Sequence, residues 1–358
     1  MAILPFDKLR PSALRLRLEE VNYYLVMTDN KKLDLITIGD STIDTFIRIH
    51  DASVECDINK KDCKICVPYG SKIPVDSIAH GVAGNAANVA VGCARLGLAT
   101  AIYTNLGDDE NGLRIKETLI SEKIRPDFIQ INKGKESNLS VVLTFQGERT
   151  IFVYHQPWFY RLPTLPPAEF VYFSSLAETF TSSNIVDEVC RYIENSHAKL
   201  IFNPGTYQLK ADIKRYPRLL EKCEVLIVNL EEAKRILNIE LGDDANIRDI
   251  LSKMLMLGPK IVVVTDGAEG SYATDGQRYL KAGVFPVQIV EKTGAGDGYA
   301  SAFITALVEG ETLEEAMVWG TVNASQVIST IGPEKGLMTR DNLLRHRRAE
   351  SGLAATQI

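Results

Sequence analysis

From position 33 onward, two hydrophobic rhythms alternate along the chain. Nearly unbroken Val/Ile/Leu-rich runs stand at 33–38, 100–104, 170–174, 200–203, 225–229 and 260–265, each of strand length. Between them, apolar residues recur at helical spacing over 85–96, 110–123, 184–195, 231–237 and 247–257. Strands apolar on both faces, interleaved with amphipathic helices, predict an α/β fold. Its centre is a mainly parallel, Rossmann-like sheet flanked by helices. Ligands of such sheets bind beyond the carboxyl ends of the strands.

Two stretches break the alternation. Residues 45–80 hold strand-like pieces at 46–49 and 64–67 but no helical pattern, and 139–156 reads as a hairpin turning at Gln146-Gly147. Together they predict a small β-sheet protruding from a main domain spanning 31–350. Over a ligand crevice such a sheet is a lid that excludes water; the same pattern also fits an ordinary surface insertion. Residues 1–30 follow neither period and read as a poorly packed N-terminal extension, with Met27 a candidate start. The chain contains no internal repeat and no low-complexity tract.

Composition narrows the function classes. Of 358 residues, 45% are hydrophobic and 24% charged, which supplies a large core. A net charge of −6 gives no basic field for nucleic acid or an anionic membrane. No apolar run approaches the roughly 20 residues that span a bilayer. The first ten residues lack the basic and apolar regions of a signal peptide. A cytoplasmic protein with small-molecule partners is the expectation, without nucleic-acid or membrane partners. The six cysteines do not form a disulfide scaffold. Cys93, Cys190 and Cys223 read as small buried residues. Cys56, Cys63 and Cys66, with His50 and His80 nearby, offer the donor set of a structural zinc site or are unrelated thiols on a β-rich excursion.

The sharpest chemical signal is Glu291-Lys292-Thr293-Gly294-Ala295-Gly296-Asp297, which opens a helical run. First-turn N–H groups lack helical acceptors and face a positive dipole end, so Gly and Ala there let phosphate oxygens approach the backbone. Asp297 is then placed to take a proton from a hydroxyl attacking a γ-phosphoryl group. Alternatively it only caps the helix. A second segment, His80-Gly81-Val82-Ala83-Gly84-Asn85-Ala86-Ala87-Asn88, opens another helix. Gly84 permits close backbone approach, and Asn85 and Asn88 offer donors and acceptors to a polyhydroxylated ligand. Neither segment has dinucleotide-fingerprint spacing, and no G-x-x-x-x-G-K-[ST] occurs. A third segment, Gly39-Asp40-Ser41-Thr42-Ile43-Asp44, follows the first strand; there Asp40 reads as a turn residue.

In order and spacing, AGNAANVAVGCARLG and EKTGAGDGY resemble the two characteristic motifs of the PfkB, or ribokinase-like, carbohydrate and nucleoside kinases. Intermediate landmarks also match: NLGDDENG at 105–112, Asn229-Leu230-Glu231-Glu232, the segment 264–270, and 319–331 with Asn323. The resemblance implies ATP-dependent phosphorylation of a sugar or sugar-like hydroxyl, with Asp297 as general base and Gly294, Ala295 and Gly296 as the anion hole. It places Asp44, Gly84, Asn85 and Asn88 around the substrate. Asn229, Thr265, Gly267 and Asn323 would contact the nucleotide, and Glu232 would hold Mg²⁺ through water. A homodimer through the lid is expected. A nucleoside acceptor and an inactive nucleotide-binding regulator remain alternatives. Where the family usually has Asp-Thr-Thr-Gly, this chain has Glu291-Lys292-Thr293-Gly294, which leaves a monovalent cation in doubt, because Lys292 offers its own positive charge. Arg149, Tyr154, His155, Trp158, Tyr160 and Arg161 are expected either to set specificity or to pack the lid.

Overall fold

The computed structural model describes residues 32–57, 63–240, 245–349 and 352–358. The expected N-terminal extension lies outside them. The first half of the described chain runs β1 (Leu33–Ile38), β2 (Thr42–Arg48), β3 (Ser53–Cys56), β4 (Cys63–Cys66), β5 (Ser77–Ala83) and α1 (Asn85–Arg95). It continues through β6 (Thr100–Gly107), α2 (Glu110–Ser121), β7 (Ile129–Asn132), β8 (Asn138–Phe145), β9 (Glu148–Tyr154) and β10 (Ala168–Phe173). Next come α3 (Ile185–Ser196), β11 (Lys199–Phe202), α4 (Thr206–Lys210), α5 (Pro217–Glu221), β12 (Cys223–Asn229), α6 (Leu230–Ile236) and α7 (Ile247–Leu255). Last are β13 (Ile261–Thr265), β14 (Ser271–Thr274), β15 (Tyr279–Ala282), α8 (Ala295–Val308), α9 (Leu313–Ile328), α10 (Arg340–Ala349) and β16 (Ala355–Gln357).

Among the described residues, ten strands form one sheet in the order β16-β15-β14-β13-β12-β11-β10-β1-β6-β7. From β7 to β13 every neighbouring pair is parallel. Strand alternation divides the core in two. Ile36, Ile38, Val171, Phe173, Leu200, Phe202, Leu226 and Val228 face one hydrophobic cluster, which α3, α6 and α7 cover. Leu35, Phe170, Tyr172, Ile201, Val225 and Ile227 face the other, beneath α1, α8 and α9. Apolar side chains on both faces are what a sheet packed by helices on both sides requires. Beyond β13 the sheet turns antiparallel through β14, β15 and β16. Those strands have only three or four residues each, too few to register as hydrophobic runs.

A second sheet has the order β5-β2-β8-β9. β2 pairs antiparallel with β5 and parallel with β8, and β8 with β9 forms the hairpin expected at Gln146-Gly147. This sheet starts at Thr42, three residues before the expected excursion, so Asp44 lies on the sheet itself. Its strands join the main domain at chemically relevant points: β2 follows β1 after Gly39–Ser41, and β5 passes into α1 through Gly84. The zinc reading of the cysteine cluster does not hold. Cys56 and Cys63 form a disulfide across β3 and β4, which takes both thiols out of any ligand set. Among the described residues, no group of three or more His, Cys, Asp or Glu side chains is placed to hold a metal. Nor does any helix among them have the length and apolarity to cross a membrane.

Phe173 and Phe202 stack at 5.5 Å between ring centres within the buried cluster. Phe173→Ala should destabilise the protein by about 3–5 kcal/mol, read as a lower denaturant midpoint at unchanged slope. A loss below about 1 kcal/mol would contradict this packing.

Candidate active site

Strand order reverses at β1: β6 and β7 continue to one side, β10 and β11 to the other. In open parallel sheets this switch point leaves a crevice at the carboxyl ends of the strands. Asp40 and Ser41 follow β1 there, and Ser174 and Ser175 follow β10. Helices α1 and α8 lie side by side on one face of the sheet, tied where the Cys93 thiol donates to the Ser301 carbonyl at 3.3 Å. Their first turns meet at the crevice.

Two glycines make that meeting possible. Gly84 caps α1 at φ 103°, and a Cβ there would lie 2.4 Å from the Asp40 carbonyl oxygen. Gly294 caps α8 in the left-handed region at φ 85°, where a Cβ would press on Pro333 at 2.5 Å. Any other L-residue would be strained at either place and would collide with its neighbour. A Cβ at Gly296 would meet nothing within 4 Å, so the backbone of that first turn is open to a ligand. The helical N–H groups of Gly296 and Asp297 have no acceptor within the helix and face the positive dipole end.

Asp297 stands in this turn, 7% exposed. Its Oδ2 accepts from Asn88 Nδ2 at 2.7 Å and its Oδ1 from Asn85 Nδ2 at 3.0 Å. Burial pushes its carboxyl up to about 6, against the lowering effect of both amides. Asp44 faces the same space. Burial raises its carboxyl to about 6 as well, a hydrogen bond with Ser140 lowers it, and the charge of Asp297 adds to the rise. Asp44 Oδ1 and Asn88 Oδ1 are buried acceptors with no hydrogen-bond partner among the described residues. Hydroxyl groups of a polyol are donors that satisfy both.

On the other flank, Asn229 and Thr265 are register partners at the carboxyl ends of β12 and β13, with Gly267 just beyond. Asn229 and Glu232 form a reciprocal cap of α6. Asn229 Oδ1 accepts from Glu232 N–H at 2.8 Å, and Glu232 Oε2 accepts from Asn229 N–H at 2.9 Å. Burial raises the Glu232 carboxyl, and the charge of Asp297 adds to it, so the two carboxylates sense one another across the crevice.

Several expected roles change. Asn323 is fully buried and its amide is spent within the protein: Nδ2 donates to Gly298 O at 2.8 Å and Ser301 Oγ at 3.1 Å, and Oδ1 accepts from Met338 N–H at 3.0 Å. No polar atom of that side chain is left for a nucleotide; it ties α9 to α8. Lys292 reaches the second sheet, pairing with Glu148 at 3.0 Å, so its charge is already offset. Glu291 Oε1 accepts from the Thr293 N–H at 3.1 Å and hydroxyl at 2.8 Å, closing the turn before Gly294. Trp158 and Tyr160, each 2% exposed, belong to the core cluster, where Trp158 Nε1 is a buried donor with no partner among the described residues. Asp40 is more than a turn residue. Its Oδ2 accepts from Tyr160 OH at 2.6 Å and Ala177 N–H at 2.9 Å, joining β1 to the segment after β9 and the segment after β10. Those partners lie 120 and 137 positions away, so no local pattern could reveal the role.

The pfkB family carbohydrate kinase pattern matches residues 49–340. Ribokinase of Bacillus subtilis (strain 168) is 29% identical over 267 residues, 73% of this chain and 85% of that one. 5-Dehydro-2-deoxygluconokinase 1 of Bacillus cereus (strain ZK / E33L) is 27% identical over 337 residues, 88% of this chain and 95% of that one. In structure, Arabidopsis thaliana ribokinase, solved with ribose and ATP, superposes with a TM-score of 0.71 at 21% identity, covering 88% of this chain and 99% of its own. The nucleoside kinase of Methanocaldococcus jannaschii reaches 0.70 at 21% identity, covering 90% and 100%. Fold and family together define a phosphotransferase of the sugar-kinase type. The chain belongs to the PfkB family of carbohydrate kinases.

With Asp297 and Asp44 both raised to about 6, kcat/KM for an acceptor should hold above neutrality and fall as pH drops through about 6, as the carboxylates gain protons. Asn88→Ala removes a hydrogen bond that lowers the Asp297 carboxyl, so the midpoint should move to higher pH. An unchanged midpoint would contradict the contact.

Proposed function

We propose that the protein transfers the γ-phosphoryl group of ATP to a hydroxyl of a sugar or sugar acid, with Asp297 as general base. The observation that carries this reading is the hydrogen bond of Asp297 with Asn88, 209 positions apart in sequence, beside the unpartnered acceptor of Asp44. An acceptor whose hydroxyls satisfy Asp44 and Asn88 lies within reach of Asp297. That carboxylate, poised near the working pH, takes the hydroxyl proton as the oxygen attacks. The backbone amides of Gly294, Ala295 and Gly296 then stabilise charge on the transferring group, that of Ala295 by giving up its long contact with the Lys292 carbonyl at 3.5 Å. Asn229, Thr265 and Gly267, at the ends of β12 and β13, are proposed to line the ATP side.

Glu232 suits Mg²⁺, because its raised carboxyl and the nearby Asp297 charge are both relieved by a cation, and only its Oε2 is engaged. When bound beside the phosphates, the metal neutralises charge on their oxygens. The second sheet, carrying Asp44, is proposed as a lid over the acceptor. A sugar-type acceptor is favoured over a nucleoside because the aromatic rings of Trp158 and Tyr160 are committed to the core, not free to stack on a base. The similarity to a ribokinase and a deoxygluconokinase agrees with that choice.

The free edge of this sheet, β9, leaves Ile151, Phe152, Val153 and Tyr154 exposed, and a second copy of the chain would cover it. Phe152→Glu should shift sedimentation from dimer to monomer; an unchanged species would remove this interface.

ATP consumption screened over pentoses, hexoses, sugar acids, sugar phosphates and nucleosides tests the central assignment. Asp297→Asn should lower kcat by about 10²–10⁴-fold with the Kd for ATP near wild type. Turnover surviving that change would overturn it, and tight ATP binding without turnover on any acceptor would mark a regulator.

A further inference from the structure

Beside Asp44, the second sheet also borders a cavity. Asp44 and Phe46 are alternate residues of β2, so they project to one face about 7 Å apart. On the neighbouring edge strand, Gly81 pairs with Asp44 and Ala79 with Phe46. Phe46, Gly81, Arg114, Glu334 and Lys335 line a cavity of about 200 Å³ between this edge, α2 and the segment after α9. Glu334 is close enough to Asp44 for that carboxylate to add to its own upward shift. The cavity therefore opens within one strand repeat of the group proposed to hold the acceptor.

We propose that this cavity receives an anionic end group of the acceptor, a carboxylate or a phosphate, and so selects charged over neutral sugars. The assignment rests on the kinase reading above and extends it.

Arg114 and Lys335 supply the attraction. Neither forms an ion pair with a described residue, so an anion between them would meet two uncommitted positive charges.

 Arg95, the other cation near Glu334, is already committed: it grips Glu122 through two contacts at 2.9 and 2.6 Å and donates to the Glu334 and Leu337 carbonyls. Glu334 does not oppose an anion at neutral pH. Its Oε1 is buried without a hydrogen-bond partner among the described residues, and burial pushes its carboxyl up to about 8, so below that pH it is a neutral hydrogen-bond donor. A carboxylate or phosphate oxygen is an acceptor suited to that donor and to the guanidinium of Arg114. A neutral polyol would satisfy Glu334 alone and leave both cations without a counter-charge. The volume exceeds the roughly 30 Å³ share of one water several-fold, enough for such a group and the carbons beside it.

Calorimetry on the full chain without nucleotide tests the cavity independently of catalysis. The probes are matched pairs: glucose with gluconate, ribose with ribonate, and ribose with ribose 5-phosphate. At least one anionic member should bind about tenfold or more tighter than its neutral partner, as charge-assisted hydrogen bonds allow. Whether the carboxylate or the phosphate pair shows the effect tells which group the cavity takes. Arg114→Met with Lys335→Met should erase the preference, leaving the affinity for the neutral sugar and for ATP in place. Equal binding within every pair, or a preference that survives the double substitution, would overturn the assignment. An anion preference without ATP consumption on any acceptor would sink the kinase reading while the cavity assignment stood. Turnover of a neutral sugar alone, with no anion preference, would do the reverse.

Discussion

The site depends on one buried carboxylate held between two amides. Asp297 lies where the first turns of α1 and α8 converge, and Asn85 and Asn88 donate to its two oxygens. Burial opposes its ionisation; the paired amides and the positive helix end favour it. The outcome is a carboxyl near 6, ionised at neutral pH yet basic enough to accept a proton. Each neighbour contributes to holding it there. Gly84 and Gly294 allow the two helix starts to approach, and Asn323 locks α9 onto the first turns of α8.

Around that point the sheet topology gives the crevice two sides. The strand-order reversal at β1 and the second sheet define one side of the crevice, rich in buried acceptors such as Asp44 Oδ1 and Asn88 Oδ1. The carboxyl ends of β12 and β13 define the other, where Asn229, Thr265 and the capped Glu232 stand together. Asp297 senses both Asp44 and Glu232 electrostatically, which places it between the two sides. Lys292 and Glu148 link the loop before α8 to the second sheet, so the proposed anion hole and the proposed lid are in contact. The pair is exposed, and such a contact contributes about 0–1 kcal/mol, enough to bias a closure but not to enforce it.

Much of this was legible in the sequence because its causes are local. The runs 33–38 and 225–229 are apolar on both faces, and the structure makes them β1 and β12. Glycine before an Asn- or Asp-bearing helix start marked both Gly84 and Gly294, since the steric demand at such a turn is set by one residue. What stayed hidden depends on distant partners. Asp40 looked like a turn residue because Tyr160 and Ala177 are far along the chain. Asn323 looked like a ligand contact because its packing against Met338 and Gly298 cannot be read from spacing. The Cys56–Cys63 bond escaped because a C-x6-C spacing does not reveal the strand register that sets the two residues opposite one another.

The most direct test is a crystal structure of the Asp297→Asn protein with an acceptor found by screening and a non-hydrolysable ATP analogue. The account predicts the accepting hydroxyl within about 3 Å of the side chain at 297, in line with the γ-phosphate and with the remaining hydroxyls on Asp44 and Asn88. An acceptor bound elsewhere, or a γ-phosphate on the far side of α8 from Asp44, would contradict it.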